Sequence, residues 1–500
     1  MSQPAVLAQP GPTAELCRWI STVQLGDIPP ELLTRAKYLI LDGIACALVG
    51  AHLPWSEKAA AALLDLEYSG PGAAATLFGW DRKVTPLTAA LLNGTFIQGF
   101  ELDDWHRDAP LHSNSILLPA LLAAAEHMGT PPPPDHYKGD GRAAPRHFSG
   151  ADLLLAYVVG CEVGPRVGLG LRGADVLSHG WHSGAVFGPS AAAAAVSKLL
   201  GLSAEAVEDA LGIACTQAGG LMSAQFESEV KRMQHGFAAR NGLLGATLAR
   251  GGYVGIKKVY ERKYGGFLTM FSSGNGKEPQ YKPEEVCKDL GKKWQIEGVL
   301  VKPYAAMAGT HCTVDCLAAL RAAHPERTRQ FDNIKSIRIE MSEAAFHHGG
   351  WKPERPLTAT GAQMCNAYVG ATYLVDEQVT PAQFRTDKLD RDQVWQLVDA
   401  TTCEENKSYA STGLGKTSQR VTISFKDGSP SISHEELAPK GVLPPLTNQE
   451  ILYKWRLVTQ SVIEDKKRDS IEHAILKLQE CTDISVLGTL MAGMTKNPIA

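Results

Sequence analysis

Apolar residues recur at every third or fourth position through most of the first half of the chain, and that spacing commits this half to helices that each bury one face. From Ile28 to Leu48 the positions Leu32, Leu33, Ala36, Leu39, Ile40, Ile44 and Leu48 share a face, and Pro29 and Pro30 open the segment. Similar patterns cover roughly Pro86 to Phe100, Ser115 to His127, Gly150 to Leu171, Gly184 to Leu200 and Ala204 to Ala214. Several of these are rich in Ala, Gly and Ser, GPSAAAAAVSKLLG being the clearest. Small side chains let helix backbones approach, so the pattern predicts a tightly packed helical domain rather than an open bundle.

The period changes near Trp294. NIKSIRIEMS sets Ile334, Ile337, Ile339 and Met341 at mostly two-residue spacing, and QRVTISFKDGS alternates Val421, Ile423 and Phe425 before an Asp-Gly turn. Helical patterns at Ala362 to Leu374 and Asp392 to Ala400 lie between these strands. The expected fold class is therefore mainly α: a large helical domain over 1–294, a smaller α+β unit over 295–445, and C-terminal helices over 446–500 that return to the helical domain. Thr130 to Ser149, with four consecutive prolines, reads as an exposed loop.

Charge and motif content narrow the function classes. Lys and Arg number 49 against 53 Asp and Glu, and no long basic run interrupts the chain, which argues against a nucleic-acid or membrane-surface patch. Ser183 to Leu200, the longest weakly polar stretch noted, is short and broken by Pro189 and Lys198, so no membrane span is expected. The first residues carry neither a signal-peptide nor a transit-peptide pattern, and ten irregularly spaced cysteines suit reduced thiols; a cytoplasmic protein is the expectation. His311, Cys312 and Cys316 lack a second ligand pair at structural-site spacing, so no metal is expected. A formal GxGxxG at Gly168, Gly170 and Gly173 follows a segment that reads as helix rather than strand, which removes its meaning as a dinucleotide turn.

Titratable residues concentrate in a few places. ELDDWHRDAPLHSNS packs Glu101, Asp103, Asp104, His106, Asp108 and His112 between two apolar helices. Carboxylates beside imidazoles can orient a ring and tune its pKa, as acid–base chemistry requires, although a solvated loop with ordinary helix caps has the same composition. His179 and His182 precede an Ala-rich helix whose first N–H groups favour anions. Lys231, Arg232, His235 and Arg240 share a presumed helical run that suits a polycarboxylate or a plain exposed basic face. Later, VKPYAAMAGTHCTVDC carries Lys302, Tyr304, Met307 and His311, and AFHHGGWKPERP carries His347 and His348.

Taken in order, RAKYLILDGIACALVGA, ELDDWHRDAPLHS, GWHSGAVFGPSAAAAAVSKLLGL, EDALGIACTQAGGLMSAQ and VKRMQHGFAARNGLL resemble the MmgE/PrpD superfamily, and within it the fungal cis-aconitate decarboxylases. The resemblance continues through YGGFLTMF, RPLTATGAQM and TDISVL. It implies a helical domain with a smaller lid domain, a homodimer, an active site between domains, and decarboxylation of cis-aconitate to itaconate without a cofactor. It places Asp103 or Asp104, His112, His182 and Lys231 at the catalytic centre, and Lys302, Tyr304, Met307 and His311 among the substrate-binding groups.

Such a substrate supplies its own electron sink, because the electrons released with carbon dioxide move into the adjacent double bond. The protein must hold three carboxylates, stabilise developing charge and deliver a proton to carbon. Met307 stands where some relatives carry Cys or His, which leaves room for an alkyl-substituted aconitate as substrate. A 2-methylcitrate dehydratase would use the same cluster equally well, and an inactive metabolite-binding scaffold is the remaining alternative.

Overall fold

Proline starts the early helices. In the computed structural model, which describes residues 11–67, 74–130, 145–224, 228–409 and 417–500, Pro12–Thr22, Pro30–Gly50, Pro54–Leu66 and Pro86–Ile97 each open on a proline. At the first helical position the ring-fixed φ is already correct and the missing N–H has no partner to lose. Ser113–Gly129, Gly150–Gly170, Ser183–Leu200, Ala204–Cys215 and Gln234–Arg250 follow. The Pro-rich loop expected from Thr130 to Ser149 falls, over 131–144, outside the described residues, as do the first ten residues.

Small residues bring these helices close. A Cβ on Gly236 would sit 2.2 Å from the Leu91 carbonyl oxygen, and one on Gly242 would sit 2.7 Å from Ala193 N and Pro189 O. Gln234–Arg250 thus packs backbone to backbone on both Pro86–Ile97 and Ser183–Leu200, as the Ala- and Gly-rich composition predicts.

The GxGxxG glycines end a helix instead of starting one. Gly168 and Gly170 lie in its last turn, and Gly173, at φ +65°, donates its N–H to Gly168 O at 2.7 Å. That is a left-handed helix stop. The same helix, Gly150–Gly170, is the one described helix long and apolar enough to cross a membrane. Its most apolar window is 89% buried, and it carries the buried pair Glu162 and Arg166, joined at 3.2 Å. Glu162 accepts the backbone N–H groups of Gln295 and Ile296 at 2.6 and 3.1 Å, while Arg166 donates to the carbonyls of Lys288 and Lys293. Burial pushes the Glu162 carboxyl up to about 7 against the pull of Arg166 and the two N–H groups.

The chain divides into two units that interleave in sequence. One comprises residues through Gly99, Asp104–Val299 and Ile463–Thr495; the other comprises Phe100–Asp103, Leu300–Val462 and Lys496–Ala500. These breaks fall at 299 and 462, where sequence patterning alone puts them at 294 and 445. Asn448–Thr459 is therefore counted with the second unit, in which Lys454 Nζ donates to Leu102 O at 2.7 Å and Lys440 pairs with Glu450 at 2.9 Å.

The second unit holds a four-stranded sheet. Ile334–Met341 pairs in parallel with Thr401–Glu405 and antiparallel with Gln419–Phe425, which in turn pairs antiparallel with Ile432–Glu436. Ile337 faces Ile423 and Ile339 faces Val421, all buried. The register shifts between Ile334 and Ser336, which accounts for the three-residue step from Ile334 to Ile337 in an otherwise alternating strand. The expected turn forms at Asp427 and Gly428, with φ +78° at the glycine and Ser429 N donating to Asp427 Oδ1 at 2.8 Å.

Candidate active site

Three histidines meet in the first unit at the starts of three helices. His112 is the N-cap of Ser113–Gly129, His182 is the N-cap of Ser183–Leu200, and His235 is the second residue of Gln234–Arg250. The His112 and His235 ring centres are 4.7 Å apart, and those of His182 and His235 are 5.0 Å apart. His182 and His235 are buried, and His112 is partly so. Helix N-termini carry partial positive charge, so their convergence favours an anion such as a carboxylate.

Hydrogen bonds hold the His235 side chain and backbone. Ser115 Oγ donates to His112 O at 3.1 Å and lies 2.9 Å from His235 Nδ1. Gln98 Oε1 accepts the His235 backbone N–H at 3.1 Å. A Cβ on Gly184 would lie 2.2 Å from Nε2, so only glycine leaves room for that nitrogen. An imidazole held in place beside two further imidazoles can accept, hold and return a proton. His112 and His235 also bring ring nitrogens within 4.8 Å of each other, a spacing a divalent cation could bridge.

Asp104 is tied to the start of the helix that follows His112. Its carboxylate accepts Ser113 N at 2.8 Å and Asn114 N at 3.0 Å, which caps the helix directly after His112 and fixes where that ring starts. The fully buried Asn114 donates to Leu39 O and accepts Tyr157 Oη, each at 2.8 Å, anchoring the same turn. His106, from the same dense segment, is a structural clamp. Its Nδ1 accepts Ala109 N at 3.1 Å while Nε2 meets Gln295 O at 3.1 Å, and burial lowers its pKa to about 4. Lys231 sits half-buried on the 3-10 turn Glu229–Met233, which leads into the helix of His235, and its neighbour Arg232 is buried with its guanidinium 5.7 Å from the Trp55 ring centre. The presumed single helical run is thus a turn followed by a helix. His179 is exposed, as are His347 and His348.

The remaining sequence candidates lie in the second unit. Asp103 is buried there, and the chain passes into the first unit at Asp104. Lys302 is buried and donates to Glu101 Oε2 at 3.1 Å, with Glu101 held at φ +54°. Tyr304 donates its hydroxyl to Asp315 Oδ1 at 2.7 Å, and burial raises the pKa of both groups. His311 lies edge-on to Tyr304 at 5.2 Å, with Nε2 3.0 Å from Ala306 O. Burial and the Lys302 charge push its pKa down to about 3, so it is neutral. The Met307 methyl packs where Cβ atoms on Gly309 or Gly349 would fall, at 3.0 and 2.7 Å, which directs it toward glycines of its own unit.

The residues that sequence reasoning passed over are His235 as a member of the centre, together with Ser115 and Gln98. The available signal was His235-Gly236: the glycine permits the close helix approach that brings the preceding imidazole inward.

Residues 14–280 match the family model of the MmgE/PrpD N-terminal domain, and residues 304–480 match that of the MmgE/PrpD C-terminal domain. The cis-aconitate decarboxylase-like protein oryM of Aspergillus oryzae is 52% identical over 484 residues, 96% of this chain and 97% of that protein. The cis-aconitate decarboxylase of Aspergillus terreus is 45% identical over 497 residues, 98% of each chain. That of Homo sapiens is 26% identical over 494 residues, covering 96% and 94%.

Proposed function

The chain belongs to the MmgE/PrpD family, and from that premise we propose that it is a carboxy-lyase converting cis-aconitate to itaconate and carbon dioxide. The observation that carries the reading is the meeting of His112, His182 and His235 at three helix starts, a positive, proton-transferring centre suited to a polycarboxylate. Full-length similarity to relatives that bear the decarboxylase name supports it.

In the reaction, the bond from the carboxymethyl carbon to its carboxylate breaks and its electron pair forms the new terminal double bond. The electrons of the original double bond move to the carbon beside the remaining conjugated carboxylate, where one proton adds. Positive groups stabilise that charge, and Lys231 is assigned to it. His112 or His182 delivers the proton, and His235 holds the relay. Lys302, Tyr304, Met307 and His311 remain assigned to substrate binding, with His311 acting as a neutral hydrogen-bonding group. The substrate's own conjugation serves as electron sink, so the reading assigns neither cofactor nor metal. A cytoplasmic homodimer without nucleic-acid or membrane partners completes it.

Proton NMR of the purified protein with cis-aconitate, with and without EDTA, tests the reading. Itaconate vinylidene signals are expected in both arms, with turnover reduced roughly 10²–10⁴-fold in His112→Ala and Lys231→Ala. No vinylidene signal from wild type overturns it. Dehydration of 2-methylcitrate under the same conditions would place the chain with the hydro-lyases.

A further inference from the structure

The 3-10 turn that carries Lys231 has little of its own to hold it. Glu229–Met233 is five residues long, and helices of this kind are short and have poorer hydrogen-bond geometry than α-helices. Ser228 secures its start, with Oγ accepting Val230 N at 3.2 Å and the carbonyl accepting Lys231 N at 3.3 Å. Beyond that, the turn stands where its packing partners put it. Side chains three apart eclipse on a 3-10 helix and share a face on an α-helix. Glu229 and Arg232 are so spaced on the turn, and Trp55 and Lys58 are so spaced on Pro54–Leu66. The two pairs meet: Lys58 Nζ donates to Glu229 Oε1 at 2.6 Å, and the Arg232 guanidinium lies 5.7 Å from the Trp55 ring centre.

These contacts differ in strength. The Lys58 and Glu229 side chains are 67% and 53% exposed, so water screens the pair and its worth is small. Arg232 is 2% exposed, and a guanidinium over an indole face gains most where the cation is out of water. Trp55 is fixed on its other side as well. Its Nε1 donates to Gly99 O at 3.1 Å, and Gly99 follows Gln98, whose Oε1 accepts the His235 backbone N–H. A Cβ on Gly50 would fall 1.8 Å from Phe96 O, so the chain leading to Trp55 and the chain leading to Gly99 touch backbone to backbone. One indole thus ties the neighbour of Lys231 to the neighbour of the residue that holds His235.

Resting on the carboxy-lyase reading, we propose that Trp55 is a positioning residue for Lys231 and acts through Arg232. At three residues per turn, Lys231 is set about 120° round the axis from both Glu229 and Arg232. The contact with Trp55 and Lys58 therefore grips the turn by its other sides. In this role Trp55 need touch neither substrate nor reacting atom. It fixes where the Lys231 ammonium stands, and a misplacement of about 1 Å can lower turnover about 100-fold.

The test is a double-mutant cycle on cis-aconitate turnover with the full chain. Trp55→Leu should lower kcat and kcat/KM together by at least about tenfold. Trp55→Phe, which keeps an aromatic face for Arg232, should stay within about threefold of wild type. In a Lys231→Ala background Trp55→Leu should cost almost nothing further, because the group it positions is gone. Losses that multiply in the double variant overturn the proposal, since Trp55 then acts on something other than Lys231. Wild-type kcat in Trp55→Leu overturns it too. Should Trp55→Leu unfold, the exposed Lys58→Ala takes its place in the cycle with a loss of about twofold, and persistence of that loss in Lys231→Ala has the same adverse meaning. Amide hydrogen exchange reads the contact without turnover. Exchange across Glu229–Met233 should quicken at least about tenfold in Trp55→Leu while Ser183–Leu200 keeps its protection, and unchanged exchange in the turn overturns the proposal. Quickened exchange in a protein whose wild type releases no carbon dioxide from cis-aconitate sinks the parent reading and leaves the hold of Trp55 on the turn standing.

Discussion

His235 shows how one residue can matter more than its neighbourhood suggests. In a run with Lys231, Arg232 and Arg240 it looks like part of a solvated basic face, yet the glycine that follows it draws its helix against Leu91 O and leaves its ring fully buried. Its Nδ1 lies 2.9 Å from Ser115 Oγ, which orients the ring between His112 and His182. His235→Gln keeps the volume and some hydrogen bonding but removes the titrating nitrogen. It should lower kcat at least about 100-fold while leaving the circular dichroism spectrum and melting temperature close to wild type; retained kcat would remove His235 from the relay. His106, by contrast, acts on stability. Its folded pKa of about 4 lies below the ordinary 6.5 because burial disfavours the charged ring. As pH falls through 6.5 the unfolded chain takes the proton first, so the stabilisation from the neutral clamp is lost between about 6.5 and 4. Urea unfolding should give a contribution about 2 kcal/mol smaller near pH 5 than near pH 7, and His106→Asn should lose that share of the pH dependence.

At the scale of elements, sequence patterning located the helices well because each has a proline or small-residue start and an apolar face. It also separated the sheet strands correctly, since Val421, Ile423 and Phe425 alternate as a one-sided strand must. What it could not read was partnership between distant segments. Glu162 and Arg166 are two charged residues one turn apart in an apolar helix, and nothing local says that they hold residues 288–296. The same limit hid the helix-capping bonds of Asp104, which join it to residues nine and ten positions further along the chain. The ion pair carries a sharp expectation. Arg166→Met leaves the Glu162 carboxylate buried without its cation and should cost roughly 3–5 kcal/mol in urea unfolding, whereas pairing it with Glu162→Met should recover much of that loss. Equal destabilisation by the single and double variants would show that the pair contributes nothing specific.

At the scale of the whole molecule, the chain enters and leaves each unit more than once, and this is the feature least visible in sequence. A break near 445 follows naturally from the change of periodicity, but Lys454 and Glu450 bond within the second unit, and the first unit regains the chain only at Ile463. The returning segment is integral to the helical unit. Gly79 N donates to Met491 O at 2.9 Å, Gly493 N to Trp80 O at 3.0 Å, and Thr495 N to Gly79 O at 3.0 Å. Ile471, Ile475, Leu478, Ile484, Leu487 and Met491 are buried. At roughly 2 kcal/mol for each such side chain, their removal approaches the entire stability of an ordinary domain, about 5–15 kcal/mol. A chain ending at Val462 should therefore lose the helical unit's cooperative unfolding, with hydrogen exchange accelerated throughout Pro30–Gly50 and Ser113–Gly129, the helices that this segment covers. Protection in those helices equal to that of the full chain would mean that the C-terminal return is an accessory to the fold rather than part of it.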